Sequence, residues 1–427
     1  MTFSNAINTT MTETKNPLLD LSDLIDYASV KPEHVAPAVD FWSAKLEAAL
    51  AAATAPETPA TWEAVVEPLE NAVLDFSRAW GVVGHLQSVV DTPALRDAYN
   101  AALPKVTELF IRLSQDEALF AKYRAIEASP EFAALSAVRQ RIVKREIRDF
   151  VLSGAALPAE KRERVMAIGQ ALSQTSQKFS ENLLDATNAF ELVIDDKAKL
   201  AGIPEETLAL YEASAKAAGK SGWRITLQFP SYLPAMKYCE DRSIRETLYR
   251  AFSTRAAEFD GARFDNTPLM TEILKLRGEE ASLLGFKNYA ALSLETKMAE
   301  SPEAVLTFLR DLTRRAKPKA QADIEEVNEF ARRELNLETV EPWDRPYASE
   351  KLRESRYSYS DAEVKRYFTE PTVFAGLFKL VETLFGIEIN EAKASVWHPD
   401  VKYFEVKRNG EKIAAFYAAL YAREGKR

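Results

Sequence analysis

VMAIGQALSQTSQKFSENLLDATNAF, residues 165–190, sets the terms for everything around it. Val165, Ile168, Leu172, Thr175, Phe179, Leu183, Ala186 and Phe190 recur at three- and four-residue steps, which aligns them on one stripe of a helix about seven turns long. A stripe of that length needs a facing surface, and the flanking sequence offers more helices. In SPEAVLTFLRDL (301–312), Ser301 reads as the N-cap and Pro302 as N1, where a missing N–H costs nothing; Val305, Phe308, Leu309 and Leu312 are the expected buried face. Pro318 is expected to end or kink that helix. TPLMTEILKLRGEEASLLGF (267–286) has Pro268 near its start, Gly285 as a C′ residue and apolar Phe286 behind it.

Composition agrees with a mainly α chain. The 427 residues suffice for two or three domains or one large multilayer unit with a substantial core. Hydrophobic residues make up 47% and charged residues 28%, a globular balance, and glycine is held to 14 positions. The formal net charge of -9, with both signs interspersed, provides no basic face for a phosphate backbone, so no nucleic acid is expected as a partner. Cys239 is alone, which excludes an intrachain disulfide and suits a reducing compartment. The opening MTFSNAINTTMTETKNPLL lacks a basic stretch followed by an apolar one, and no apolar run reaches the ~18 residues of a membrane span. A cytoplasmic chain with no membrane partner is the expectation.

Two places break the helical rhythm. FELVI (190–194) and WRITLQF (223–229) are β-branched and aromatic and are expected to pair, with amphipathic LALYEASAKAAG between them. VKYFEVKR (401–408) and EKIAAFY (411–417) flank Asn409-Gly410, a dipeptide suited to the positive φ angles of a tight hairpin turn. A lone hairpin is marginal in water, so its edges call for strands from elsewhere in the fold or from beyond residue 427.

Chemistry is harder to place. His34 lies in KPEHVAP, His85 in WGVVGHLQSV and His398 in VWHPDV; none has a second histidine at i+4, so the helical H-E-x-x-H zinc site is absent from these residues. Structural roles are expected instead: a cap or turn for His34 between Pro32 and Pro37, a packed helix position near Trp80 for His85, and a loop entering the hairpin for His398. AAGKSGW (217–223) ends like a phosphate-binding loop, but Ser214 stands where the first glycine belongs and the order is helix, loop, strand, so a glycine turn is the reading. Cys239, beside Glu240 and Asp241, is in no setting that favours a thiolate. Carboxylates are abundant, without a spacing that singles out an acid–base pair.

Taken in order, several blocks resemble oligopeptidase A and its relatives, the thimet oligopeptidase family of zinc metallopeptidases. They are NPLL (16–19), KPEHVAPAV (31–39), RAWGVVGHLQSVVDTPALRDAYN (78–100), KFSENLLDAT (178–187), FPSYLPAMKY (229–238), DRSIRETLYRAFSTRAAE (241–258), DNTPLMTEILKLRGEEASLLGFKNYAALSLETKMAESPE (265–303), PWDRPYASEKLRE (342–354) and VWHPDVKYFEV (396–406). The resemblance implies a mainly helical fold, two helical walls around a channel with a small sheet, and activity on short peptides. It also implies that the text after FYAALYAREGKR (416–427) should continue toward H-E-F-G-H, so the zinc ligands and the catalytic glutamate are expected beyond Arg427, in a missing C-terminal part. No catalytic, cofactor-binding or metal residue is therefore assigned within this chain, zinc is the cofactor of the intact family, and none is expected to bind here. The pattern departs at Ala348, where relatives carry a second aromatic, and at Ala419, where they carry Asp; if that Asp holds a neighbouring basic residue in relatives, Arg423 would lack a partner here.

The expected division is a flexible tail over 1–15, an N-terminal helical region over 16–189, a small β-containing insert over 190–229, a helical channel wall over 230–395 and, over 396–427, a hairpin that begins the catalytic portion. The expected function is that of the N-terminal portion of a metallo-oligopeptidase, without hydrolysis on its own. The rivals are a non-catalytic peptide-binding module and a half-enzyme completed by a separate C-terminal catalytic chain. Either way, segments such as FYAALY are expected to expose apolar surface.

Overall fold

Helix follows helix along most of the chain, as its Ala-, Leu- and Glu-rich sequence requires. The computed structural model describes residues 16–22, 24–259, 263–358 and 361–426; the tail expected over 1–15 lies outside them. No helix among the described residues is long and apolar enough to cross a membrane. The chain divides into two compact units.

The first unit takes in the chain up to Ala155 together with Glu391–Phe404 and Phe416–Ala419. Its helices are α1 (Val35–Thr54), α2 (Glu67–Val89), α3 (Pro93–Ser114), α4 (Glu117–Ala128) and α5 (Ala137–Leu152). Starts are chemically marked: Thr92, Asp116 and Ser136 each accept a hydrogen bond from a backbone N–H one turn on, satisfying donors that the helix cannot. Helix α1 packs along α2 and α3, and α4 packs on α5, around a core that includes Leu46, Val65, Phe76, Val83 and Tyr123. An aromatic cluster joins the late segment to this core: Trp397 lies 4.2 Å from the His85 ring and 5.1 Å from Tyr27, and Tyr417 lies 5.3 Å from Trp397 and 5.0 Å from Tyr403. Edge-to-face contact of such rings adds to simple burial. Burial, with Tyr27 and Tyr403 beside it, pushes the Tyr417 phenol up to about 12.

The second unit takes in Ala156–Asn390, Glu405–Ala415 and the chain from Leu420 on. It contains α6 (Ala159–Ala189), α7 (Glu205–Ala217), α8 (Phe229–Tyr238), α9 (Arg242–Ser253), α10 (Thr267–Leu283), α11 (Tyr289–Leu294), α12 (Pro302–Glu334), α13 (Arg345–Tyr357), α14 (Asp361–Lys365) and α15 (Glu370–Phe385). The expected pairing of FELVI with WRITLQF is present: β1 (Glu191–Ile194) runs antiparallel to β2 (Trp223–Thr226), with Leu192 opposite Ile225. AAGKSGW is the turn that feeds β2. Gly222 has φ +81°, and a Cβ there would sit 2.4 Å from the Ile194 carbonyl oxygen, so this glycine serves strand closure rather than a phosphate. Helix α10 ends as its sequence forecasts: Gly285 has φ +82°, Phe286 N–H donates to Ala281 O at 2.8 Å and Gly285 N–H to Ser282 O at 3.2 Å. Three further strands, β3 (Glu388–Ala392), β4 (Lys402–Arg408) and β5 (Glu411–Ala418), form one sheet in that order. Asn409 and Gly410, at φ +52° and +81°, make the tight β4–β5 turn, and β3 is the strand from elsewhere that the hairpin edge called for.

Helix α12 departs from its sequence reading in that it does not end at Pro318 and its apolar stripe is open. Ser301 caps it, accepting from Ala304 N–H at 3.0 Å, but the helix runs unbroken through Pro318 to Glu334. Residues 312–320 are exposed, so the carbonyl deprived of its donor by the proline faces water, and a helix of 33 residues absorbs the loss. Its apolar stripe is not buried either: Phe308 is 67% exposed, and Leu309 and Leu312 are about half exposed. Periodicity tells which face is apolar, not what lies opposite, and α12 packs on α13 and α11 without covering that face. Leu377, Leu380 and Leu384 of α15 are likewise open, as are Leu420 and Tyr421 from the FYAALY segment.

An ionic knot sits inside the second unit. Asp344, fully buried, accepts from Arg242 Nη2 at 2.7 Å, from Arg245 Nη2 at 2.8 Å and from Glu341 N–H at 3.1 Å. Arg245, only 1% exposed, also donates to the Cys239 and Glu240 carbonyls at 2.6 and 3.0 Å and lies over the Tyr347 ring. Six residues further on, in α13, buried Glu350 pairs with Lys237 at 3.1 Å and with Arg353. Ala348, between these carboxylates, is itself buried, so the smaller side chain lies within packed structure.

Candidate functional site

Helix α6 supplies one wall of a cleft. Its stripe is buried at Val165, Ile168 and Thr175 against α10, but farther along the buried positions become Glu181, Asn182 and Leu184, leaving Leu183 exposed. The switch is pinned by polar bonds: Asn182 Nδ2 donates to Asn266 Oδ1 at 2.9 Å, and Asn266 Nδ2 to the Phe179 carbonyl at 3.0 Å. The expected stripe thus splits, and Phe179 and Leu183 turn toward a cleft of about 690 Å³.

The opposite walls come from the β2–α8 junction (Leu227, Gln228, Phe229, Pro230), the end of α9 (Phe252, Arg255) and the segment carrying Leu420, Arg423 and Lys426. Apolar groups dominate, and among the described residues the charged ones lining the cleft are Arg255, Arg423 and Lys426. Arg255 is held rigidly. Its Nε donates to Phe252 O at 2.9 Å, its Nη1 donates to Thr187 Oγ1 at 3.1 Å, and its guanidinium carbon lies 3.7 Å from the Phe252 ring centroid. Phe252 in turn stacks on Tyr232 at 4.2 Å. Burial presses the Arg255 guanidinium below its usual range, and burial together with Arg423 does the same to Lys426. Lys426 also donates to Tyr421 O at 3.0 Å. The concern that Arg423 stands alone without an acid at 419 does not hold, since Arg423 interacts with its surroundings.

The histidines take structural places. His34 Nδ1 accepts the Lys31 N–H at 3.2 Å at the start of α1, His398 Nδ1 accepts the Asp400 N–H at 3.2 Å in the turn before β4, and His85 is packed in α2. The ring partners of His85 are Tyr27 and Trp397, while Trp80 stacks on Tyr99. Among the described residues no three His, Cys, Asp or Glu side chains are grouped to hold a metal. The donor set does not fit zinc: two imidazoles spend Nδ1 on backbone turns, and the thiol is buried. Burial pushes the Cys239 thiol up to about 11. Native protein at pH 8 is therefore expected to react with a thiol-directed disulfide reagent at least 100-fold more slowly than the same chain in denaturant; comparable rates would show that Cys239 is accessible.

Comparison with known proteins gives the lineage. Residues 42–162 match the Neurolysin/Thimet oligopeptidase N-terminal domain, and residues 235–427 match Peptidase family M3. Oligopeptidase A of Salmonella typhimurium is 42% identical over 96% of this chain and 61% of its own length, and that of Escherichia coli is 41% identical over the same shares. A probable cytosolic oligopeptidase A of Arabidopsis thaliana is 39% identical over 96% of this chain and 60% of its own. The chain belongs to the oligopeptidase A and thimet oligopeptidase family of M3 peptidases. It spans about 61% of the length of these relatives.

The cleft was not legible beforehand. Its cations come from positions 255, 423 and 426, far apart in sequence and without a motif. Only the stripe holding Phe179 and Leu183 was visible, and it read as core.

Proposed function

We propose that this chain serves the hydrolysis of short peptides as the helical, substrate-facing part of an oligopeptidase A-like metallopeptidase, and does not hydrolyse peptides by itself. The observation that carries the reading is 42% identity to an oligopeptidase A across 96% of these residues. No H-E-x-x-H occurs among the 427 residues, and the donors present do not suit zinc, so no hydrolytic step is assigned to them. Their part is to bind and orient: helices that form walls, and a cleft with apolar sides and fixed cations. Short peptides are the proposed ligands. A reducing cytoplasm suits a single cysteine kept as a buried thiol.

A second reading, assembly with a zinc-bearing partner segment, draws support from the open apolar faces of α12 and α15. The test of the main reading is direct. Purified chain with added zinc and an internally quenched short peptide should give no turnover above the uncatalysed rate; chelator-sensitive turnover by the chain alone would overturn it.

A further inference from the structure

We propose that the outer face of helix α5 binds the surface of an anionic lipid bilayer, with Arg141, Lys144 and Arg145 on the headgroup anions and Val138 and Val151 at the boundary with the acyl chains. Whole-chain charge conceals this face. The net charge is -9, yet α5 holds Arg139, Arg141, Lys144, Arg145 and Arg148 against only Glu146 and Asp149. At 3.6 residues per turn, Val138, Arg141, Lys144, Arg145, Arg148 and Val151 fall within one arc of about 140°, opposite the buried Val143 and Phe150. Arg141, Lys144 and Arg145 are exposed, and so are Val138 and Val151, at 69% and 46%.

Spacing is the first reason. Arg141 stands three residues before Lys144 and four before Arg145, positions at which side chains are neighbours and like charges destabilise a helix. Other helices of this chain put opposite charges there: Glu246 with Arg250, Asp311 with Arg315, Lys319 with Asp323 and Lys351 with Glu354. The carboxylates of α5 do not neutralise the row. Asp149 pairs with Arg148 at 2.7 Å, Glu146 is turned toward Tyr123 and Glu70, and among the described residues no carboxylate pairs with Arg141, Lys144 or Arg145. Cations that repel one another are relieved by an extended anion. The valines indicate which kind, since aliphatic side chains gain by entering the interface of a bilayer, whereas a phosphodiester backbone offers them nothing. Negative charge elsewhere on the molecule is screened beyond about 10 Å at 0.1 M salt, so it does not cancel the attraction at contact.

Sedimentation of the full chain with lipid vesicles at about 0.1 M salt is the test. Phosphatidylcholine vesicles containing about one third phosphatidylserine should bind the chain at least tenfold more tightly than pure phosphatidylcholine, and about 0.5 M salt should release it. Replacing Arg141, Lys144 and Arg145 together by Gln should weaken this binding at least tenfold, at a thermal midpoint no lower than that of the wild type because the like-charge neighbours are gone. Arg314→Gln, Arg315→Gln and Lys319→Gln on α12 make the same change in net charge and should leave binding unaltered, whereas Val138→Ser with Val151→Ser should weaken it at least twofold. Should the α5 triple variant give no native transition, Arg145→Glu alone takes its place, with an expected loss of at least threefold. Equal binding to both kinds of vesicle, equal losses from the two triple variants, or unaltered binding after the α5 change would overturn the proposal. Tighter binding to a single-stranded oligonucleotide or to polyglutamate than to the anionic vesicles would overturn its assignment to lipid.

Discussion

Asp344→Ala is expected to lower the thermal midpoint of the second unit by on the order of 10 °C, from a loss of about 3–5 kcal/mol. The carboxylate is fully buried between Arg242 and Arg245, and removing it strands the Arg245 guanidinium, which has almost no access to water. A control separates this from lost packing. Replacing the pair together, Arg245→Met with Asp344→Leu, should recover much of the loss, because the cost of breaking such a pair lies mainly in the charge left behind. Burial alone would raise the Asp344 carboxyl, but hydrogen bonds from Arg242 and Arg245 hold it below the usual carboxylate range. Its folded pKa therefore lies below the unfolded value of about 3.9, so its stabilisation is complete above that pH and lost as pH falls through the folded value. Acid unfolding of the wild type should show this step, and Asp344→Asn should lack it. A midpoint shift below 2 °C for Asp344→Ala would remove the knot from the energetic account.

Gly202→Ala should be the next most damaging single change. Gly202 has φ +85°, and a Cβ there would lie 2.2 Å from the Tyr238 carbonyl oxygen and 3.0 Å from Glu240 Cγ, against a backbone tied by Glu240 N–H donating to Ala201 O at 3.0 Å. Positive φ costs an L-residue about 1–2 kcal/mol, and the clash adds a comparable amount, for about 2–5 kcal/mol in all. Gly219 provides the contrast: its φ is +68° but nothing lies within 4 Å of a Cβ there, so Gly219→Ala should show the backbone cost alone. Urea midpoints of the two variants measure the difference. Equal destabilisation would mean that the approach to Tyr238 relaxes at no cost.

Local grammar was legible from the residues because it depends on neighbours a few positions apart. Ser301 as cap, Gly285 with Phe286 as helix stop and Asn409-Gly410 as turn each rest on short-range chemistry. What failed required knowledge of the far side of an element. The stripe of α12 looks like a core face and is open, and that of α6 divides at Asn182 because Asn266, 84 positions away, claims the helix edge. Asp344 and Glu350 passed as two of many carboxylates, though WDRPYASEK places them on the buried side of α13, since their guanidinium and ammonium partners lie on α8, α9 and α13 itself. For the same reason the cleft's cations could not be gathered from sequence.

The aromatic cluster around Trp397 imposes an order on synthesis. Tyr27 and His85 leave the ribosome early, whereas Trp397, Tyr403 and Tyr417 follow only after residues 156–390, which belong to the other unit, have been translated. At roughly 5–20 residues per second the first five helices wait about ten seconds to a minute for their last aromatic partners. During that interval the rings of Tyr27 and His85 lack the later aromatic partners that cover them in the finished fold.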